Sequence, residues 1–247
     1  HMLWLTPYTE RIFTSSSSAR RNFFDGIFLN FDNEHALRLT EYDKLLKQRN
    51  KILKEDYNDG DWLNVLEEKL SKLSVIISCS RLDILFKIQD MLKLPLKKFP
   101  TVEIKFSNSL ENQLLKNSAL DVEEELKNKY YESREIDKVV GGSQYGCQKS
   151  DLMVKNFSTN MHARMCSSGE QQAILVSLII ASSRALRKII NCSPILLLDE
   201  VFNHLDEIRR EALLKEIEEL KSQAWITSAE KENFIISKKF CYHNLKN

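Results

Sequence analysis

One stretch, from Cys166 to Asp206, constrains this chain more than any other. It opens Cys166-Ser167-Ser168-Gly169-Glu170-Gln171-Gln172 and continues as an apolar run from Ala173 to Ile190. After Pro194 it enters Ile195-Leu196-Leu197-Leu198-Asp199-Glu200 and closes at Asn203-His204-Leu205-Asp206. Ser167 and Glu170 have the spacing of a capping box, in which the serine caps a helix and the glutamate reaches back. The run behind them, apolar on nearly every side, predicts a buried helix. An ordinary capped core helix has this pattern. So has an anion site, because the free N–H groups and positive dipole end at such a start suit a terminal phosphate, with Gly169 allowing close approach.

The second half of the stretch adds carboxylates. Ile195 to Leu198 predicts a strand buried on both faces of a parallel sheet. The carboxyl ends of parallel strands are where α/β sheets place ligands. Asp199 there suits Mg²⁺, a hard ion that takes oxygen ligands and keeps several waters. Glu200 suits a general base that orients and deprotonates an attacking water. A strand running into a helix cap is the plainer alternative.

The pieces together resemble the signature motif, Walker B strand and D-loop of the ABC-type ATPase heads of chromosome and DNA-repair proteins, and among them the RecF family. The residues that carry the resemblance are Cys166–Gln171, Leu196–Glu200, His204–Asp206 with Arg209-Arg210, and Trp225-Ile226-Thr227. Earlier in the chain, Trp4-x-Thr6-Pro7, Arg11-x-Phe13, Arg20-Arg21-x-Phe23-x-Asp25 and Phe31-Asp32-x-x-His35 follow the same family's pattern. At Gly146-Cys147-Gln148-Lys149-Ser150-Asp151 the chain departs from the family's Gly-Pro-His-Arg-x-Asp. Lys149 keeps a positive charge there but cannot make a planar two-pronged arginine contact.

The resemblance implies an α/β fold: the C-terminal part of an ABC-type P-loop ATPase head with an inserted α-helical hairpin lobe. Residues 1–137 are expected to form the helical lobe, with a short strand near 101–106, and residues 138–247 the C-terminal half of the ATPase lobe. It implies ATP and Mg²⁺ as cofactors of the complete protein, with Glu200 catalytic and Asp199 on the metal. Ser167, Ser168, Gly169, Gln171, Asp206 and Thr227 are implied as nucleotide-site residues. Ser168 and Gly169 would touch the terminal phosphate across an ATP-dependent homodimer, and Thr227 would reach that phosphate or its water. It further implies single-stranded and gapped duplex DNA, RecR and RecO as partners, with roles in recombinase loading and the SOS response.

Six glycines are present, at 26, 60, 141, 142, 146 and 169, and none stands in G-x-x-x-x-G-K-[ST], the loop that cradles phosphates. In the family that loop precedes everything matched here. The chain is therefore expected to be the later part of a RecF-like protein, from an engineered fragment or a split gene, and not ATP-competent alone. A non-enzymatic DNA- or partner-binding module is the alternative. A membrane-transporter ATPase half is disfavoured, because Thr227-Ser228 stands where transporters carry a switch histidine.

Composition narrows the classes further. Of 247 residues, 43% are hydrophobic and 29% charged, which fits a folded domain with a real core. The formal charge of +1 leaves only a local patch for any nucleic-acid contact. The five cysteines, 79, 147, 166, 192 and 241, have no metal-ligand spacing, which predicts free thiols in a reducing cytoplasm. No stretch has a membrane-span pattern and no signal peptide is present. His1-Met2 reads as the remnant of an expression tag and carries no part of the argument.

The remaining elements follow from periodicity. Ser15–Ser18 predicts a cap for a helix bearing Arg20 and Arg21, which either face solvent or contact phosphate or a further lobe. Residues 35–56 and 61–94 predict two long helices joined by a turn at Asn58-Asp59-Gly60, the second with Trp62, Val65, Leu66 and Leu70 opening its apolar stripe. Pro95 and Pro100 stop it. Thr101–Phe106 alternates as a strand, 121–137 predicts one charged helix with a solvated face, and Val139-Val140 and Leu152–Val154 predict strands. A helix after Asp206 is expected to face the sheet with Leu205, Ile208, Leu213, Ile217 and Leu220. Phe234–Tyr242 predicts a last edge strand.

Overall fold

The computed structural model describes residues 1–55, 60–94, 96–107, 110–228 and 241. Two small sheets organise the chain. In the first, β1 (Met2–Leu5), β5 (Ile195–Leu198) and β6 (Ala224–Ile226) run parallel in the order β1-β5-β6. Met2 opens β1 and pairs with Ile195, and the His1 carbonyl accepts the Ile195 N–H, so both residues take part in the sheet. In the second, β2 (Val102–Ser107), β3 (Asp151–Asn156) and β4 (Met161–His162) run antiparallel. Val102, Ile104 and Phe106 are buried, as their alternation predicts.

The first sheet corrects one expectation. Leu196 and Leu198 are buried with Leu3 and Leu5, but Ile195 and Leu197 are only half-buried. Trp4, Leu197 and Trp225 stand in one row across the sheet, and both tryptophans are exposed. One face is thus buried and the other only partly covered among the described residues, the Trp4 ring lying against Gly26. The long helix α7 (Ser168–Ile190) packs on the buried face against β1 and against α8 (Glu207–Leu220). Leu205, Leu213, Ile217 and Leu220 are buried as expected, whereas Ile208 lies exposed on the first turn of α8.

The helices before β2 form the arm. A 3₁₀ segment, Pro7–Thr14, leads to α1 (Ser17–Phe28), whose first turn is capped by Ser16. Then come α2 (His35–Glu55) and α3 (Gly60–Leu92), the latter about 50 Å long at ~1.5 Å per residue. They are antiparallel, since Arg49 near the end of α2 meets Glu67 near the start of α3, while Asp32, just before α2, meets Ser80. Trp62 and Val65 are exposed and lie off the buried stripe of α3. The turn residues Asn58 and Asp59, Pro95 and, Cys241 apart, the expected strand from Phe234 to Tyr242 fall outside the described residues.

The single helix expected at 121–137 is in fact two. After the short α4 (Leu110–Leu114), α5 (Ala119–Glu132) is capped by Ser118 and ends at Ser133, and α6 (Arg134–Val140) starts there. Val139-Val140 are the end of α6 and no strand. Gly141, at φ +78°, takes the left-handed conformation that ends a helix, and both valines are exposed with no ladder to join.

Charge buried in the arm is extensive, and it includes residues of the 121–137 stretch expected to face solvent. The Arg49 side chain is fully buried; it donates to Glu67 (2.9 Å), Asp137 (2.7 Å) and the Tyr130 carbonyl (2.6 Å). Arg134, expected on a solvated face, also donates to Glu67. Arg81 makes a two-pronged pair with Asp25 (2.9 and 2.7 Å) and donates to the Cys147 carbonyl. His35 Nε2 lies 3.0 Å from Asp25, and buried Glu111 accepts from Ser78 and Ser150. Arg20 and Arg21 are internal ties as well, to Asp151 and to the Ser150 carbonyl. Gly146, at φ +115°, lies where a Cβ would collide with the Tyr42 and Tyr130 hydroxyls. Strands and charged clusters on both sides of residue 137 thereby interlock, with β2 paired to β3 and β1 to β5.

Candidate nucleotide-hydrolysis site

The start of α7 is built as a capping box. The Ser167 hydroxyl oxygen accepts from the Glu170 N–H (3.4 Å), and the Glu170 carboxylate accepts from the Ser167 N–H (3.0 Å). The Gln171 amide donates to the Cys166 carbonyl at 3.0 Å. Ser167 and Ser168 are exposed, so the helix start opens on solvent with its N–H groups outward. Gly169 lies against the loop after β5: a Cβ there would sit 3.2 Å from the His204 carbonyl oxygen. Gln172 donates to the Val201 carbonyl at 3.2 Å. The beginning of α7 and the loop 199–206 therefore form one packed unit.

The carboxylates stand at the carboxyl end of β5, as expected. The Asp199 N–H donates to Leu5 (2.9 Å) and the Thr227 N–H to Leu198 (3.1 Å), which extends both ladders by one residue. The Thr227 hydroxyl donates to Asp199 Oδ1 at 2.5 Å and accepts from the Glu200 N–H at 2.9 Å. Glu200 takes φ +50°, a backbone conformation uncommon outside glycine and asparagine. The Asn203 amide donates to Glu200 Oε2 at 2.9 Å, and the Asn203 N–H donates to the Glu200 carbonyl at 3.0 Å. Asp206 caps α8, its Oδ1 accepting from the Arg209 N–H at 2.8 Å.

Asp199, Glu200 and Thr227 are thus one hydrogen-bonded group, and Gly169 touches the loop that extends it. Ser167, Gln171 and Asp206 each hold a local hydrogen bond at the ends of α7 and α8. The Thr227 hydroxyl, expected to reach the terminal phosphate or its water, is bonded within the chain to Asp199 and the Glu200 N–H. Asn203 and Gln172 were not singled out from the sequence, although Asn203 follows Glu200 at the spacing of a turn.

Asp199 is an exposed hard-oxygen donor, which fits Mg²⁺. Among the described residues no cluster of three or more His, Cys, Asp or Glu forms a metal cage. The fit is therefore to an ion that takes its other ligands from water and phosphate. All five cysteines are free, as expected, and burial pushes the Cys147 thiol up to about 12. Among the described residues no helix is long and apolar enough to cross a membrane.

A family model described as "AAA domain, putative AbiEii toxin, Type IV TA system" matches residues 1–231. Similar curated proteins include the DNA replication and repair protein RecF of Rickettsia typhi, 40% identical over 227 residues, which are 92% of this chain and 63% of that protein. RecF of Rickettsia prowazekii is 40% identical over 230 residues, 93% of this chain and 64% of the relative. The chain spans less than two thirds of the length of these relatives. A solved structure of "the recombination mediator protein RecF-ATP in RecFOR pathway" superposes with a TM-score of 0.79 at 24% identity, over 94% of this chain and 63% of that one. The corresponding "RecF-ATPrS" structure gives 0.77, over 93% and 62%. That likeness assigns the fold, an ABC-type ATPase head in which helices predominate around a parallel sheet. The chain belongs to the RecF family of AAA-domain proteins.

Proposed function

We propose that this chain supplies the signature and carboxylate half of an ATP-hydrolysing head in a RecF-type DNA replication and repair protein. The observation that carries the reading is the bonded group of Asp199, Thr227 and Glu200 at the end of β5, packed through loop 199–206 onto the start of α7. Asp199 holds Mg²⁺, which when bound neutralises charge developing on the phosphates. Glu200 takes the proton of the attacking water. Ser167, Ser168, Gly169 and Gln171 shape a helix start suited to the terminal phosphate of ATP bound by a second head, with Asp206 lining that junction. ATP then favours a homodimer, because it contacts both heads only when they meet. The dimer acts in the cytoplasm on single-stranded and gapped duplex DNA with RecR and RecO, in recombinase loading and the SOS response.

The test is Mg-ATP binding and turnover by this chain alone and by the chain joined to a phosphate-loop segment of a RecF relative. The joined protein is expected to bind and hydrolyse ATP. Glu200→Gln in it is expected to keep binding and lose about 10²–10⁴-fold in kcat. Near-normal turnover in that variant overturns the assignment of Glu200. Tight ATP binding by the chain alone places the nucleotide elsewhere. A DNA- or partner-binding module without turnover is the second reading. It stands if the joined protein binds gapped DNA equally with and without ATP.

A further inference from the structure

We infer that Thr227 and Asn203 are positioning residues, which hold the carboxylate pair in working order before nucleotide arrives. The inference rests on the role proposed for Glu200. Strand β6 pairs with β5, and its ladder runs one residue further, from the Thr227 N–H to the Leu198 carbonyl. That register sets the Thr227 hydroxyl beside Asp199. One oxygen then does two things: it donates to Asp199 Oδ1 and accepts the Glu200 N–H. The second bond matters because Glu200 sits at φ +50° and its N–H goes to a side-chain hydroxyl. Without a hydroxyl at 227 nothing in that bond holds the turn.

Asn203 acts on the other side of Glu200. Its N–H closes a turn on the Glu200 carbonyl, and its side-chain amide binds Glu200 Oε2. An NH₂ donor on Oε2 holds the carboxylate in one rotamer and leaves its other oxygen open to the attacking water. Asn203 does not touch the reacting atoms; it acts through Glu200. His204, next in the chain, puts its carbonyl against Gly169, so the same turn continues into the signature helix. The base and the signature of one head are therefore set by a single short turn.

The clamp is read first without nucleotide. Amide hydrogen exchange at Glu200, followed by NMR in this chain, is expected to be slow in the wild type and in Thr227→Ser. In Thr227→Val it is expected to be at least about tenfold faster, because the acceptor is gone while the shape is kept. Equal exchange in all three proteins overturns the clamp. The second arm uses the chain joined to a phosphate-loop segment. Asn203→Ala is expected to lower kcat about tenfold with KM for ATP unchanged, and to add nothing in a Glu200→Gln background. Asn203→Asp, of the same shape but with like charge beside Glu200, is expected to lose more. If Glu200→Gln lowers turnover while Asn203→Ala does not, or does so equally in both backgrounds, the positioning role of Asn203 is wrong. If Glu200→Gln itself leaves turnover intact, the proposed base is wrong, and the exchange experiment still decides the clamp.

Discussion

Charge is held in two different ways in this molecule. Around Arg81 and Arg49 it is buried, paired with opposite charge and bonded on nearly every side. At the end of β5 the carboxylates of Asp199 and Glu200 sit at the surface, held by the neutral donors of Thr227 and Asn203. The contrast follows from desolvation. A buried ion needs a counter-ion and full hydrogen bonding to exist at all. A surface carboxylate held by neutral donors keeps an open side for water or metal. The arm therefore uses charge to fix the packing of helices, and the β5 end uses it where chemistry can reach.

Mutations can break this comparison. The largest effect is expected from Arg81→Ala, which strands Asp25 in the interior and should cost about 3–5 kcal/mol of stability by denaturant unfolding. A loss below 1 kcal/mol would mean that the cluster is not the structural joint described.

Asp25→Asn sharpens the same point through pH. Burial opposes ionisation of Asp25, but the bond from His35 and the charge and bond of Arg81 outweigh it and hold its carboxyl below the ordinary range. Its folded pKa is lowered, so its contribution is complete above the unfolded value of about 3.9 and is lost as pH falls through the folded value. The variant should be less stable at neutral pH, and its stability should fall less steeply below about pH 4. Parallel curves for the two proteins in urea titrations would refute the assignment.

At the other region the expected effects shrink. Asp206→Ala removes the cap of α8 and should cost about 1 kcal/mol in thermal unfolding. Glu200→Gln should change stability by no more than about 0.5 kcal/mol, because its environment is open and an amide can still accept from Asn203. A large loss in that variant would place Glu200 with the structural charges of the arm.

Much of this was legible from local pattern. The capping box at Ser167 and Glu170 formed as read, because both partners lie within one turn. So did the cap from the Ser15–Ser18 loop, at Ser16, and the alternation of β2. The two arm helices appeared close to their expected bounds. What failed depended on remote partners. Arg134 and Asp137 looked like a solvated face, since nothing near them in sequence announces Arg49 or Glu67. The break at Ser133 was hidden in a charged run that suits one helix or two. Val139-Val140 looked like a strand because two β-branched residues before a glycine fit either a strand end or a helix end.

The sequence by itself determined where helices start, which strand carries the carboxylates and which family the chain belongs to, because these depend on residues a few positions apart. Only the tertiary structure decided that Arg49 and Arg81 are core residues, and that one face of the β1-β5-β6 sheet carries exposed Trp4 and Trp225. It alone joined Thr227 to Asp199 and Glu200, 28 and 27 residues away along the chain. Such a bond exists only once β6 has paired with β5, and no local pattern carries the register of that pairing.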